Sequence, residues 1–165
     1  VALFSQVPID EIKSIYLDYQ SRTSVQLLKI LLAEYWKVEV DFLTASEGYI
    51  DQISGSTAGL IIGDRALDNL NKFPYMYDLG LAWKQHTGLP FVFAAWVANQ
   101  PIPAEFMAAF DAANGYGVAH LEEVISLIPA NEQVYDLHKY YTENISYVYD
   151  EEMKQGLERF LEALK

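Results

Sequence analysis

The sequence predicts an α/β fold, and three observations carry that prediction. Apolar runs of strand length stand at Val1 to Ser5, Ile15 to Leu17 and Ala58 to Ile62. Between the last two, Ser24 to Trp36 repeats its apolar residues at helical spacing. Glycine and hydroxyl residues follow the strand-like runs, in the loops where open α/β sheets place their ligands.

Taken in order, Val1 to Ser5 reads as a strand, and Val7 to Glu11 as a turn leading to a second strand around Ile15 to Leu17. The helix from Ser24 to Trp36 sets Val25, Leu28, Leu32 and Tyr35 on one face, with Leu27 and Leu31 widening the stripe, so it is expected to pack on a sheet. Val38 to Leu43 alternates with period two and predicts a strand with one buried face. Glu47 to Ile53 predicts a short helix, and Ala58 to Ile62 a strand buried on both faces, ending in the loop Gly63 to Leu67. Asp78-Leu79-Gly80 precedes a short helix carrying Leu81, Trp83 and Lys84, which Thr87-Gly88-Leu89-Pro90 terminates. Phe91 to Val97 predicts another strand buried on both faces. Beyond Pro103 the pattern is helical, at Ala104 to Ala113, Leu121 to Leu127 and around Tyr135 to Tyr141, with a final helix through Met153, Leu157, Phe160, Leu161 and Leu164.

With 165 residues, 52% of them hydrophobic, the chain holds enough apolar material for a globular core of about one domain. A net charge of −12 repels a phosphate backbone and an anionic membrane surface alike, which argues against nucleic acid and membrane partners. An anionic ligand must then be held by local donors against the overall field. The absence of cysteine removes disulfides, thiolate metal sites and cysteine nucleophiles, in keeping with a cytoplasmic protein. No apolar run approaches bilayer-spanning length and no signal peptide is visible; the opening on Val1 in mid-strand reads as a cut amino end.

The most informative segment is Ser21-Arg22-Thr23-Ser24, where the strand-like run from Ile15 to Tyr19 gives way to a helix. A helix opened by hydroxyl residues presents unpaired backbone N–H groups and a positive dipole end, suited to a carboxylate or phosphate. Ordinary capping explains the same residues and is the commoner use of them. Asp64 can act as a base or cap the next helical turn, and capping is the commoner of the two. Arg22 and Arg65 can clamp a carboxylate or form surface ion pairs, and Arg65 reads as the latter. Tyr35, Trp36, Trp83 and Trp96 fall on apolar stripes and read as core. His86, His120 and His138 lie far apart and offer no metal-ligand spacing, and no phosphate-binding or dinucleotide-binding glycine pattern is present. Ser24, His86 and Asp64 can be assembled into a triad on paper, but no nucleophile elbow supports one.

Four ordered blocks carry a resemblance: Val1-Ala2-Leu3-Phe4-Ser5-Gln6-Val7-Pro8, Asp18-Tyr19-Gln20-Ser21-Arg22-Thr23-Ser24-Val25, Ile61-Ile62-Gly63-Asp64-Arg65-Ala66-Leu67, and Asp78-Leu79-Gly80 through Thr87-Gly88-Leu89-Pro90 to Phe91-Val92-Phe93-Ala94. Together they resemble the chorismate dehydratases of the futalosine route to menaquinone, with a weaker match from Tyr140 to the closing helix. The resemblance implies a two-lobed fold like the type II periplasmic binding proteins, with residues 1–11 as a hinge strand, 12–90 as one complete α/β lobe, and 91–165 as the return strand and helices of the other. It implies dehydration of chorismate, a dianionic small molecule, to 3-[(1-carboxyvinyl)oxy]benzoate, with no metal or organic cofactor and with aromatisation as driving force. The family's catalytic Asn and Ser then fall before Val1, and no residue of this chain is assigned the proton transfer. What carries over is binding: Ser21, Arg22, Thr23 and Ser24 as the carboxylate seat, Gly63 and Asp64 as a cleft-lining turn, and Thr87 and Gly88 as the hinge-proximal wall. With the resemblance added, the balance at Ser21 to Ser24 turns from capping to ligand contact. A solute-binding protein of the same fold and a 1,4-dihydroxy-6-naphthoate synthase-like enzyme are the alternatives; the Ser-Arg-Thr-Ser block favours the dehydratase.

Overall fold

Leu3 and Phe4 show how the core is divided: neighbours on one strand, both fully buried, they face opposite sides of a sheet and join different apolar clusters. The structure, a computed structural model, describes residues 1–129 and 135–165. Five strands are described, β1 (Ala2–Ser5), β2 (Ser14–Leu17), β3 (Asp41–Thr44), β4 (Thr57–Ile61) and β5 (Tyr75–Asp78), in the sheet order β3-β2-β4-β1-β5. β2 runs parallel to β3 and β4, whereas β1 is antiparallel to both β4 and β5. Ala2 pairs with Ile61 on one side and Asp78 on the other. The carboxyl ends of β2, β3, β4 and β5 therefore share one edge of the sheet with the start of β1.

On the Leu3 face lie α1 (Arg22–Ile30), which continues as a wider π-helical turn from Leu31 to Trp36, and α3 (Leu79–Thr87) and α7 (Glu151–Ala163). Leu27, Leu28 and Leu31 are fully buried, each contributing about 1.5–3 kcal/mol by leaving water. Lys37, in the left-handed region at φ 55°, ends the helix. Trp83 of α3 is fully buried between Phe91 and Phe160, with ring centroids 5.6 and 6.0 Å away. Gly156 lets α7 approach: a Cβ there would collide with the Pro90 carbonyl oxygen. The Phe4 face is covered by the single turn Tyr49–Gln52, Ile53 and the short α2 (Asp64–Leu67).

The predicted α/β class holds, as do the strands at β1, β2 and β4 and the helices after Ser21 and Asp78. Three expectations need correction. Phe91 to Val97 is not a strand: Phe91 is spent on Trp83 and Phe160, Phe93 lies over Gly80, and Trp96 and Val97 are exposed. Phe91 is covered by rings on helices rather than paired in a ladder. Trp96, read as core, is 82% exposed and meets Phe110 at 5.4 Å. The strand expected over Val38 to Leu43 is confined to Asp41–Thr44, because Val38 and Val40 are used to pack the end of the preceding helix against the core. β5 was not legible, being a short edge strand behind Pro74 whose residues are mostly exposed.

The chain divides into two units, residues Val1–Phe93 with Asp150–Lys165, and residues Ala94–Tyr149. The whole sheet and α7 fall within the first unit. The second unit contains α4 (Ala104–Ala119), α5 (Leu121–Ser126) and α6 (Leu137–Lys139), followed by a π-helical turn over Tyr140–Asn144. Neither α4 nor α5 has a buried residue. No described helix is long and apolar enough to cross a membrane.

Candidate functional site at the carboxyl edge of the sheet

Because β2 and β4 are parallel neighbours, the loops that leave them emerge side by side. The first runs from Asp18 to Ser24 and opens α1; the second is Gly63-Asp64-Arg65 and opens α2. Ser21 is the N-cap of α1, its hydroxyl oxygen accepting from the Ser24 N–H at 3.0 Å. Ser24 is buried, while Arg22 and Thr23 are exposed. Among the described residues Arg22 forms no ion pair. The remaining N–H groups of the first turn thus face the carboxyl edge in a chain otherwise rich in negative charge.

Gly63 adopts φ 62° and ψ −149°, a backbone region open essentially to glycine, and turns the chain directly from β4 into α2. Asp64 is exposed in the first turn and is not the cap; the cap position is Gly63, which has no side chain to offer. Arg65 reaches back across the gap between the loops. Its guanidinium donates to Asp18 Oδ2 at 2.7 Å and to the Gln20 side-chain oxygen at 3.0 Å, and stands 5.5 Å from the centre of the Tyr19 ring. The Asn69 amide donates to the Arg65 carbonyl at 2.7 Å, so the residue is held at its backbone as well.

Asp18 is the anchor of this arrangement. Its side chain is fully buried, Oδ1 accepts from the Gln20 N–H at 2.8 Å, and Oδ2 lies 2.9 Å from the Tyr49 hydroxyl. The same hydroxyl lies 2.6 Å from the Leu60 carbonyl oxygen. A phenol has one proton for these two acceptors, so the Arg65 donor at Oδ2 completes what Tyr49 alone cannot satisfy. Burial, and then the bond to Asp18, push the Tyr49 hydroxyl well above its ordinary pKa. Burial works to lower the Arg65 pKa, but the bond to Asp18 and its charge outweigh it, so the guanidinium is held charged more firmly than usual.

Of the residues singled out by sequence, the structure brings together Ser21, Arg22, Thr23 and Ser24 with Gly63 and Asp64. Thr87 and Gly88 stand at the close of α3. α3 starts at the carboxyl edge, where the Leu79 N–H bonds the Val1 carbonyl, and its nine residues run about 13 Å back along the sheet. At its far end the Thr87 hydroxyl donates to the Trp83 carbonyl and accepts from the Leu89 N–H, and Gly88 adopts φ 78° to close the helix. Sequence reasoning missed Asp18 and Tyr49 and misread Arg65, which is no surface pair. The available signal was an acid placed directly after a strand and directly before a hydroxyl-capped helix.

A family model described as menaquinone biosynthesis matches residues 1–165 of this chain. The chain belongs to that family. It is also 31% identical, over 184 aligned positions that take in 99% of this chain and 67% of the relative, to a protein from Thermus thermophilus named chorismate dehydratase. Membership gives the carboxyl-edge loops their context, since Ser21 to Ser24 and Gly63 to Arg65 lie within the matched residues.

Proposed function

We propose that this member of the menaquinone biosynthesis family acts as a hydro-lyase on chorismate, removing water to form 3-[(1-carboxyvinyl)oxy]benzoate, and that it does so in the cytoplasm within a two-lobed fold of the type II periplasmic-binding kind. The family match over the whole chain and the similarity to a named chorismate dehydratase support the reading. The observation that carries it to particular residues is the meeting of two loops at the carboxyl edge, one a hydroxyl-capped helix start and the other the Gly63 turn, which is where a dianionic molecule finds donors in a chain of net charge −12.

In this reading the first-turn N–H groups of α1, with the hydroxyls of Ser21, Thr23 and Ser24 and the Arg22 guanidinium, seat a substrate carboxylate. Gly63 and Asp64 line the ring. The reaction breaks a ring C–O bond and a ring C–H bond and releases one water, with the pair from the C–H bond completing the aromatic sextet. Aromatisation provides the driving force, so the residues of this chain serve chiefly to orient the substrate and exclude competing conformations. Proton transfer is assigned to none of them. The test is to incubate the protein with chorismate and follow the benzoate product by chromatography, alongside calorimetric titration with chorismate. Product formation, or chorismate binding weakened by Ser24→Ala, supports the reading. A folded protein that neither binds nor turns over chorismate moves the assignment to a solute-binding protein of the same fold or to a naphthoate-forming enzyme.

A further inference from the structure

The Arg65 guanidinium is held in an unusual way for a residue on a surface turn. One of its terminal nitrogens is committed to Asp18 and Gln20, its ring-facing side lies against Tyr19, and its backbone carbonyl is tied by Asn69. Its side chain is nevertheless 30% exposed, and the contacts made by the other guanidinium nitrogens do not include any described acceptor within hydrogen-bond distance. A guanidinium has five N–H donors in a planar fork, and the committed nitrogen accounts for only two of them. The donors that remain belong to a residue that reaches from the β4 loop to Asp18 and Gln20 of the loop that opens α1.

From this we propose that Arg65 is a carboxylate-binding residue of the site and that Asp18 is its positioning residue, buried not to stabilise the fold alone but to aim the guanidinium at the ligand. The inference rests on the reading of the carboxyl edge as the chorismate site. Asp18 is suited to the task because it is fixed from three sides, by the Gln20 N–H, the Tyr49 hydroxyl and the guanidinium itself, and because its loop also carries the Ser21 cap. One buried carboxylate thereby sets the spacing between a charged donor on the second loop and the helix start on the first. A long side chain held in advance loses less freedom when the ligand arrives, which favours affinity. With two carboxylates on chorismate, the division of labour is one at the α1 start and one at Arg65. Tyr19, 52% exposed and beside the guanidinium, stands where it can cover the ring between them.

The experiment is a double-mutant cycle on ligand affinity, measured by calorimetry with chorismate and, separately, with benzoate as a minimal aromatic carboxylate. Arg65→Gln and Asp18→Asn are each expected to weaken chorismate binding about tenfold or more, equivalent to roughly 1.4 kcal/mol. The double variant is expected to be no weaker than Arg65→Gln by more than about twofold, because Asp18 acts through Arg65. Arg65→Lys, which keeps the charge but lacks the planar fork that separates the donors to Asp18 and Gln20 from those left for a ligand, is expected to recover only part of the loss. Glu34→Gln, in an ion pair at the far end of the sheet, is expected to leave affinity unchanged. Amide hydrogen exchange on the unliganded protein provides a second readout: Asp18→Asn should speed exchange at both 20–24 and 64–66, whereas loss of a local contact would affect the first loop only.

Affinity for chorismate that survives Arg65→Gln in a folded protein overturns the inference while leaving the dehydratase reading in place. Losses from Arg65→Gln and Asp18→Asn that add in the double variant also overturn it, since Asp18 would then act independently of Arg65. Binding of benzoate that depends on Arg65, without binding of chorismate, supports the inference and overturns the dehydratase reading. Binding of neither compound overturns both.

Discussion

The two ends of the sheet carry ion pairs built in opposite ways. At the carboxyl edge, Asp18 is fully buried and meets Arg65 at 2.7 Å within a network that includes Tyr49 and Gln20. At the other end, near the close of α1 and α3, Glu34 is 41% exposed and meets His86 at 3.2 Å and Arg159 at 3.5 Å. Water can replace either partner of Glu34 at little cost, so that cluster decorates helices whose packing is settled by apolar residues. No water can replace the partners of Asp18. A charge that must be desolvated makes its neighbours obligatory, and it therefore fixes their geometry, whereas an exposed pair leaves its partners free to rearrange.

Removing Asp18 gives the sharpest test of that contrast. Asp18→Ala leaves the Tyr49 hydroxyl with one partner and Arg65 without its anion, and is expected to cost about 3–5 kcal/mol in urea unfolding. A loss below about 1 kcal/mol would put the two ends on the same footing. The far end should prove costly to disturb only through its backbone fit. Gly156→Ala drives a methyl group into the Pro90 carbonyl and is expected to destabilise by about 1–3 kcal/mol, read as a lowered melting temperature.

Tyr49→Phe separates the phenol from the charge. It is expected to cost about 1–3 kcal/mol at neutral pH, because the one phenol proton available to the Leu60 carbonyl and Asp18 is lost. The hydroxyl also sets a pH dependence. Its folded pKa lies above the unfolded value of 10.0, so the native state keeps a proton that the unfolded chain releases, and the associated stability is present below pH 10 and declines as pH rises beyond it. The stability difference between the parent and Tyr49→Phe, followed by urea unfolding across that range, should shrink on the alkaline side. Ser21→Ala is expected to cost about 1 kcal/mol through loss of the α1 cap. Glu34→Gln, the smallest change, should fall within about 0–1 kcal/mol and fade further with added salt.

Much of the first unit was legible in the sequence. The helical spacing of Leu27, Leu28, Leu31 and Leu32 and the unbroken apolar run of β4 are local patterns, and burial followed them. The site was half legible. Ser21 to Ser24 and Gly63 announce themselves by type, as hydroxyls before a helix and a glycine after a strand. Asp18, Tyr49 and Arg65 do not, because each is unremarkable alone and they stand 31 and 47 residues apart along the chain. Thr87 and Gly88 were legible as the close of a helix, because a hydroxyl followed by a glycine is a local stop signal. Phe91 to Val97 was misread, since an apolar run declares only that it wants cover and not whether a strand or a helix will supply it.

By itself, then, the sequence determined the α/β class, the positions of most elements and the helix cap at Ser21. Only the tertiary structure decided that the strand order is β3-β2-β4-β1-β5, that the loops after β2 and β4 emerge together, and that Arg65 closes on Asp18. The reason is one of range. Periodicity and capping are interactions of residues a few positions apart, whereas strand order and the partner of a buried charge are settled by which distant segments bury the most apolar surface while leaving no polar group unpaired.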